Sequence, residues 1–208
     1  MWGRKKSAGQ GAPTGQVEPA VVGGRENGPF EVSERAFEPE EYLDFGSLLI
    51  KAIPDIEIQL PTDNDVLTAV LVAHGGSAIE LRPFAGSKSA GTWDGVRADL
   101  RAEVENKDGK LTEIDGPFGP ELMAQFAAAA PDGSAAIQPA RFIGVEGPGW
   151  VLRATILGEA ALESTDEGVL MDIIRQARVR RGDEPRLLRE SLPLVLPPDA
   201  QRVPDEQG

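Results

Sequence analysis

Three short stretches of this chain carry residue types that do chemistry in other proteins, and each lacks its companions. Asp44-Phe45-Gly46 spells the magnesium triplet of protein kinases. A kinase also needs a glycine-rich loop, a strand lysine and a His-Arg-Asp loop, and the sequence has none of them. Phe45 and the Leu48-Leu49-Ile50 that follows are expected instead to dock over the core. Gly86-Ser87-Lys88-Ser89 faintly resembles a phosphate loop, but that pattern requires Gly-Lys-Ser/Thr in sequence and an earlier glycine. Here Ser87 interrupts it and Arg82 stands in the place of the glycine, so a flexible linker is expected. Gly144, Gly147 and Gly149 surround Pro148 ahead of a strand, whereas a dinucleotide loop opens a helix. His74 is the single histidine and there is no cysteine. Disulfides, thiolate sites and a cysteine nucleophile are excluded, and no metal or other cofactor is expected.

What remains is a scattered set of polar residues in ordered-looking segments. Glu80 and Arg82 lie two apart on a strand and share a face. Arg97 sits one turn beyond Trp93, which places its stem against the sheet. Asp94, Arg141, Arg153 and the Arg181–Asp183 stretch complete the set. Two readings stand. The residues form an arginine–carboxylate network beneath a helix, or Glu80, Arg82, Trp93, Asp94, Arg97, Arg141, Trp150 and Arg153 line a groove for an anionic ligand or a partner's carboxylates. No catalytic residue is expected among them. Trp93 and Trp150 are core anchors unless exposed, in which case they become binding hot spots.

The elements that must position these groups follow from periodicity. Residues 55–60 alternate as a half-buried strand, and Val66 to Ala73 is a continuous apolar run. Gly75-Gly76 turns the chain into a second strand over 77–84. Trp93, Val96, Leu100 and Val104 recur at helical spacing, which predicts a helix over 92–106 with Thr92 as its cap. Strands are expected at 111–115 and 122–126, the second with a short helix as its alternative. A hairpin is expected at 141–145 and 150–157 around Gly147-Pro148-Gly149. Ser164-Thr165-Asp166-Glu167 reads as a capping box for a helix reaching about Arg178. Tight turns imply antiparallel pairing. The expected fold is α+β: a single antiparallel β-sheet with two flanking α-helices over residues 39–192. Residues 1–38, rich in glycine and proline, read as a disordered N-terminal tail, and residues 193–208 as a Pro-rich tail, extended or disordered.

Composition narrows the partners. A formal charge of -13 opposes binding to nucleic acid or to an anionic membrane surface. The N-terminal Arg4, Lys5 and Lys6 precede no apolar run, so neither a signal peptide nor a spanning segment is expected and the cytoplasm is the default. A non-enzymatic module that binds another protein is the leading functional expectation. The alternative is a small-molecule-binding domain, or an enzyme using the arginine–carboxylate groove.

Several segments resemble one uncharacterised actinobacterial family, the domain-of-unknown-function family 3710. They are Asp44 to Ile50, Glu80 to Ala85, Gly91 to Asp94, Gly116 to Gly119, Arg141 to Val145, Gly147 to Trp150 and Arg181 to Pro185. The resemblance covers about residues 40–197 and implies a cytoplasmic actinobacterial protein, but it brings no activity. The order of strands and helices is also similar to the Mog1/PsbP architecture, an analogy of topology alone.

Overall fold

A computed structural model of the chain describes residues 25–130, 132–163 and 167–197. Strand β1 (Phe30–Glu31) leads through a 3-10 turn at Pro39–Glu41 to β2 (Tyr42–Asp44) and β3 (Leu48–Lys51). Then come β4 (Glu57–Gln59), the hairpin β5 (Thr62–Asp63) and β6 (Val66–Leu67), and the hairpin β7 (Val70–His74) and β8 (Ser77–Ala85). Helix α1 (Thr92–Asn106) precedes β9 (Lys110–Gly116), β10 (Gly119–Ala129), β11 (Ala135–Gly147) and β12 (Trp150–Gly158). A 3-10 turn at Glu159–Leu162, helix α2 (Val169–Gln176) and β13 (Arg178–Val179) follow.

These strands build three sheets rather than the expected single one. Seven strands pair antiparallel in the order β4-β7-β8-β12-β11-β10-β9. Four more form the order β1-β13-β3-β2, with β1 and β13 parallel, and β5-β6 stands alone. The expectation of one antiparallel sheet flanked by two helices is therefore corrected: the fold is mostly β. The cause is physical. The second sheet is built of strands two to four residues long, too short for an alternation to register. Its parallel pair also joins residues far apart in the chain.

Alternation decides which face each large-sheet residue takes. Ile79 and Leu81 on β8 and Trp150, Leu152, Ala154 and Ile156 on β12 point to one face. That face packs against Leu48 and Ile50 of β3 and against Leu170, Ile173 and Ile174 of α2. The opposite face carries Leu122 and Val151, covered by Trp93 and Leu100 of α1. Trp93 reaches the sheet because residue 144 is glycine: a Cβ there would stand 2.0 Å from the indole ring. The cap of α1 is also long-range. Gly91, not Thr92, is the N-cap residue, and the Glu146 carboxylate accepts the backbone N–H groups of Gly91 and Trp93 at 3.1 and 3.0 Å. Residues 119–129 take the strand form that alternation favoured. Helix α2 starts at Val169 behind Gly168; Ser164, Thr165 and Asp166 of the expected capping box lie outside the described residues.

Residues at both predicted tails are placed on the domain. Phe30 and Glu31 pair with Arg178 and Val179, while Arg25 is buried and holds Glu34 at 2.6 and 2.7 Å. The remainder of the predicted N-terminal tail, residues 1–24, lies outside the described residues, as do residues 198–208. At the other end the chain becomes a strap. Beyond Leu81 the edge of β8 has no partner in β7, and the strap fills it: Ala85 N–H donates to the Glu190 carbonyl, and Leu192 N–H to that of Pro83. Val195 N–H then donates to the Phe45 carbonyl, so the same strap ties the two larger sheets together. Leu192 and Leu194 are buried beneath it. Among the described residues no helix is long and apolar enough to cross a membrane.

Candidate functional site

The eight groove candidates do not meet in one place. Trp150 is fully buried in the core beneath the second sheet, and Arg141 is buried on that same face. Arg141 donates through Nε to Glu121 at 2.6 Å and through Nη1 to the Glu163 carbonyl at 2.7 Å. Trp93 is buried under α1, its indole N–H donating to the Pro120 carbonyl at 2.7 Å. Neither tryptophan is an exposed binding anchor.

Asp94 and Arg97 form a second cluster, on the side of α1 that faces β9. Arg97 pairs with Asp94 and Glu113, and Arg101 joins from the next turn to share Glu113. Burial disfavours the Arg97 charge, but Asp94 and Glu113 outweigh it and raise its pKa. The Arg97 side chain is largely covered while its carboxylate partners stand in solvent, so the pairs are screened. Arg97→Ala should therefore cost on the order of 1 kcal/mol, nearer the exposed-pair range than the buried one. Denaturant unfolding of the variant checks this; a loss above about 3 kcal/mol would require a buried network instead.

The third cluster joins Glu80 and Arg82 of β8 to Arg153 of β12. Arg153 stands opposite Arg82 across β8 and β12, and Glu80 is opposite Thr155. Arg82 contacts Glu80 at 2.9 Å, and Arg153 reaches the same carboxylate at 3.4 Å. Two guanidinium groups thus share one carboxylate on the α1 side of the sheet. Burial first, and then the neighbouring Arg82 charge, push the pKa of Arg153 down, only partly offset by Glu80 and, more weakly, Glu103. Its Nε is buried without a hydrogen-bond acceptor.

Beside this cluster, α1, the sheet and the strap enclose a groove of about 180 Å3. Phe84, Val96 and Leu100 supply apolar lining, while Asp99, Glu103, Arg153 and Arg189 supply charge. Arg189 crosses from the strap to Asp99, over the bare helix surface left by Gly95. Immediately before Arg189 the strap exposes Leu188 at 58% and Leu187 at 80%. Val96, Asp99, Leu100, Glu103, Leu187, Leu188 and Arg189 were not among the sequence candidates. The adjacent leucines were the available signal, since two neighbouring large apolar side chains beside a charged run mark a surface that packs or binds.

Among the described residues no group of three or more His, Asp or Glu side chains is placed to hold a metal ion. A family model described as "Protein of unknown function (DUF3710)" matches residues 28–203. No curated protein matches the chain. A crystal structure from Bacteroides thetaiotaomicron VPI-5482 is similar at 13% identity and a TM-score of 0.37, over 64% of this chain and 45% of that one. The chain thus spans less than half the length of that protein.

Proposed function

We propose that this chain, which belongs to the DUF3710 family of proteins of unknown function, is a protein-binding module that docks its partner in the groove between α1 and the strap. The observation that carries the reading is the pair Leu187 and Leu188. Both are exposed, and they adjoin a groove with an apolar lining and a charged rim. Exposed apolar side chains rimmed by charge mark interaction sites, because their burial in a complex releases ordered water. Arg153 supplies orientation, for Glu80, shared with Arg82, and Glu103 balance its charge only in part. The partner that fits presents apolar side chains to the two leucines and a carboxylate to Arg153.

The test is affinity capture from native cells with three baits run in parallel. The Leu187→Asp, Leu188→Asp double variant should lose the partner recovered by wild type and keep an unchanged melting temperature, since both side chains are in solvent. Arg153→Ala should weaken recovery. A partner retained by both variants would remove the groove from consideration.

A further inference from the structure

A separate and larger cleft, of about 710 Å3, opens where the β8–α1 loop, the β11–β12 turn and residues 180–185 come together. Its volume lies in the range of small-ligand sites. Most of its charges are already engaged. Arg180 pairs with Asp44 at 3.0 Å through both terminal nitrogens. Glu34 is held by Arg25, and Glu184 by Arg186 at 2.8 Å. Glu31 accepts the Ser33 N–H and hydroxyl and lies near enough to Arg180 to favour its charge. Lys88 and Arg181, with the acids Glu31 and Asp183, are left without an ion pair among the described residues.

Arg181 is the informative one. Its Nε donates to the Gly149 carbonyl at 2.8 Å, and its Nη1 to the carbonyls of Glu184 at 3.1 Å and Gly182 at 3.4 Å. Its hydrogen bonds go to neutral carbonyls, and the Glu190 carboxylate, which also pairs with Arg186, feels its charge only through space, so the cation is preorganised for an anion. The same Gly149 holds the Lys88 loop. Gly86 N–H donates to the Gly149 carbonyl at 2.9 Å, and Gly149 N–H to the Ser87 carbonyl at 3.1 Å. A side chain at residue 86 would meet the Trp150 backbone at 2.7 Å, so glycine is what lets the loop lie against the turn. One turn therefore positions both unpaired cations at one cleft. Ser87 and Ser89, on either side of Lys88, bond to each other through their hydroxyls at 2.9 Å and steady the loop, while Lys88 lines the cleft.

We propose that this cleft binds a small organic phosphate, with Lys88 and Arg181 on the phosphate oxygens. The Lys88 ammonium and the remaining N–H groups of the Arg181 guanidinium offer more donors than the two oxygens of a carboxylate can use, whereas a phosphate monoester presents three terminal oxygens. Asp183 stands beside the two cations and can accept a hydrogen bond from a hydroxyl of the organic part of the ligand. The site is independent of the groove beside α1.

The test is an amide NMR titration of the full chain with inorganic pyrophosphate as the probe and citrate as a carboxylate control. Pyrophosphate should shift the amides of residues 86–89, 149 and 181–184 saturably. Lys88→Met, which removes an exposed side chain with no contact to lose, should weaken that binding about tenfold or more, the worth of one charge-assisted hydrogen bond. Citrate should bind several-fold more weakly than pyrophosphate. Absent or displaced shifts, an affinity unchanged in Lys88→Met, or citrate binding as tightly as pyrophosphate would each overturn the assignment.

Discussion

Replacing Glu121 by alanine should destabilise the fold by about 3–5 kcal/mol, because it removes the carboxylate that meets a fully buried guanidinium. Arg141 is 0% exposed and Glu121 1% exposed as side chains, and they meet at 2.6 Å. The carboxylate is tucked beneath the β9–β10 turn, where a Cβ on Gly116 would stand 1.9 Å from its Oε1. Glu121→Gln should be far milder, since an amide oxygen still accepts the Arg141 N–H. Changing the pair together, Glu121→Leu with Arg141→Met, should recover most of the loss, because no buried charge then remains.

The pH dependence separates these variants further. Burial raises the pKa of Glu121 above its ordinary 4.5, against the opposing pull of Arg141. A raised folded-state pKa contributes stability that is complete below the unfolded value. That stability is lost as pH rises through the folded value, because the unfolded chain ionises first. Wild type should thus lose stability relative to Glu121→Gln as pH climbs from about 4.5, and level off above the folded pKa. Urea midpoints for the two proteins across that range measure it. A difference that runs the other way would mean that Arg141 more than compensates the burial.

Trp150→Ala should cost a similar amount, about 3–5 kcal/mol, through lost burial and the cavity left behind. The side chain is fully buried, with the Arg25 guanidinium 5.3 Å from its ring. Gly147 is part of the same fit, since a Cβ there would fall 2.1 Å from the indole. For a domain of this size the melting temperature should drop by about 6–20 °C. Trp150→Phe should lose less, as it keeps most of the apolar volume and removes an indole N–H that is buried without an acceptor. A Trp150→Ala protein of unchanged stability would revive the alternative in which this tryptophan is a binding anchor.

These two sites show where sequence reasoning reached and where it stopped. The hairpins at Gly75-Gly76 and at Gly147-Pro148-Gly149 were legible because turn residues separate alternating runs. Helix α1 was legible from Trp93, Val96, Leu100 and Val104. Trp150 and Arg153, expected in one groove, lie on opposite faces of β12, so they do not share it. Burial of Arg141 was not legible. Its partner Glu121 lies two residues off register, since Arg141 stands opposite Met123, and such a diagonal depends on strand pairing that composition does not encode. The second sheet escaped for a related reason: Phe30 and Arg178 are neighbours only through a two-residue parallel pairing. Only the end of the strap, from Pro193, was read as a tail because prolines punctuate it, and Leu194 within that stretch is a core residue.

Hydrogen exchange of the chain alone and in its captured complex tests the proposed docking surface most directly. Exchange should slow in residues 96–103 on the exposed side of α1 and in residues 186–190 of the strap, with the core strands unchanged. Slowed exchange confined to the β10–β11 hairpin or to the edge of β9, with α1 and the strap unaltered, would contradict it and move the partner to a different face of the sheet.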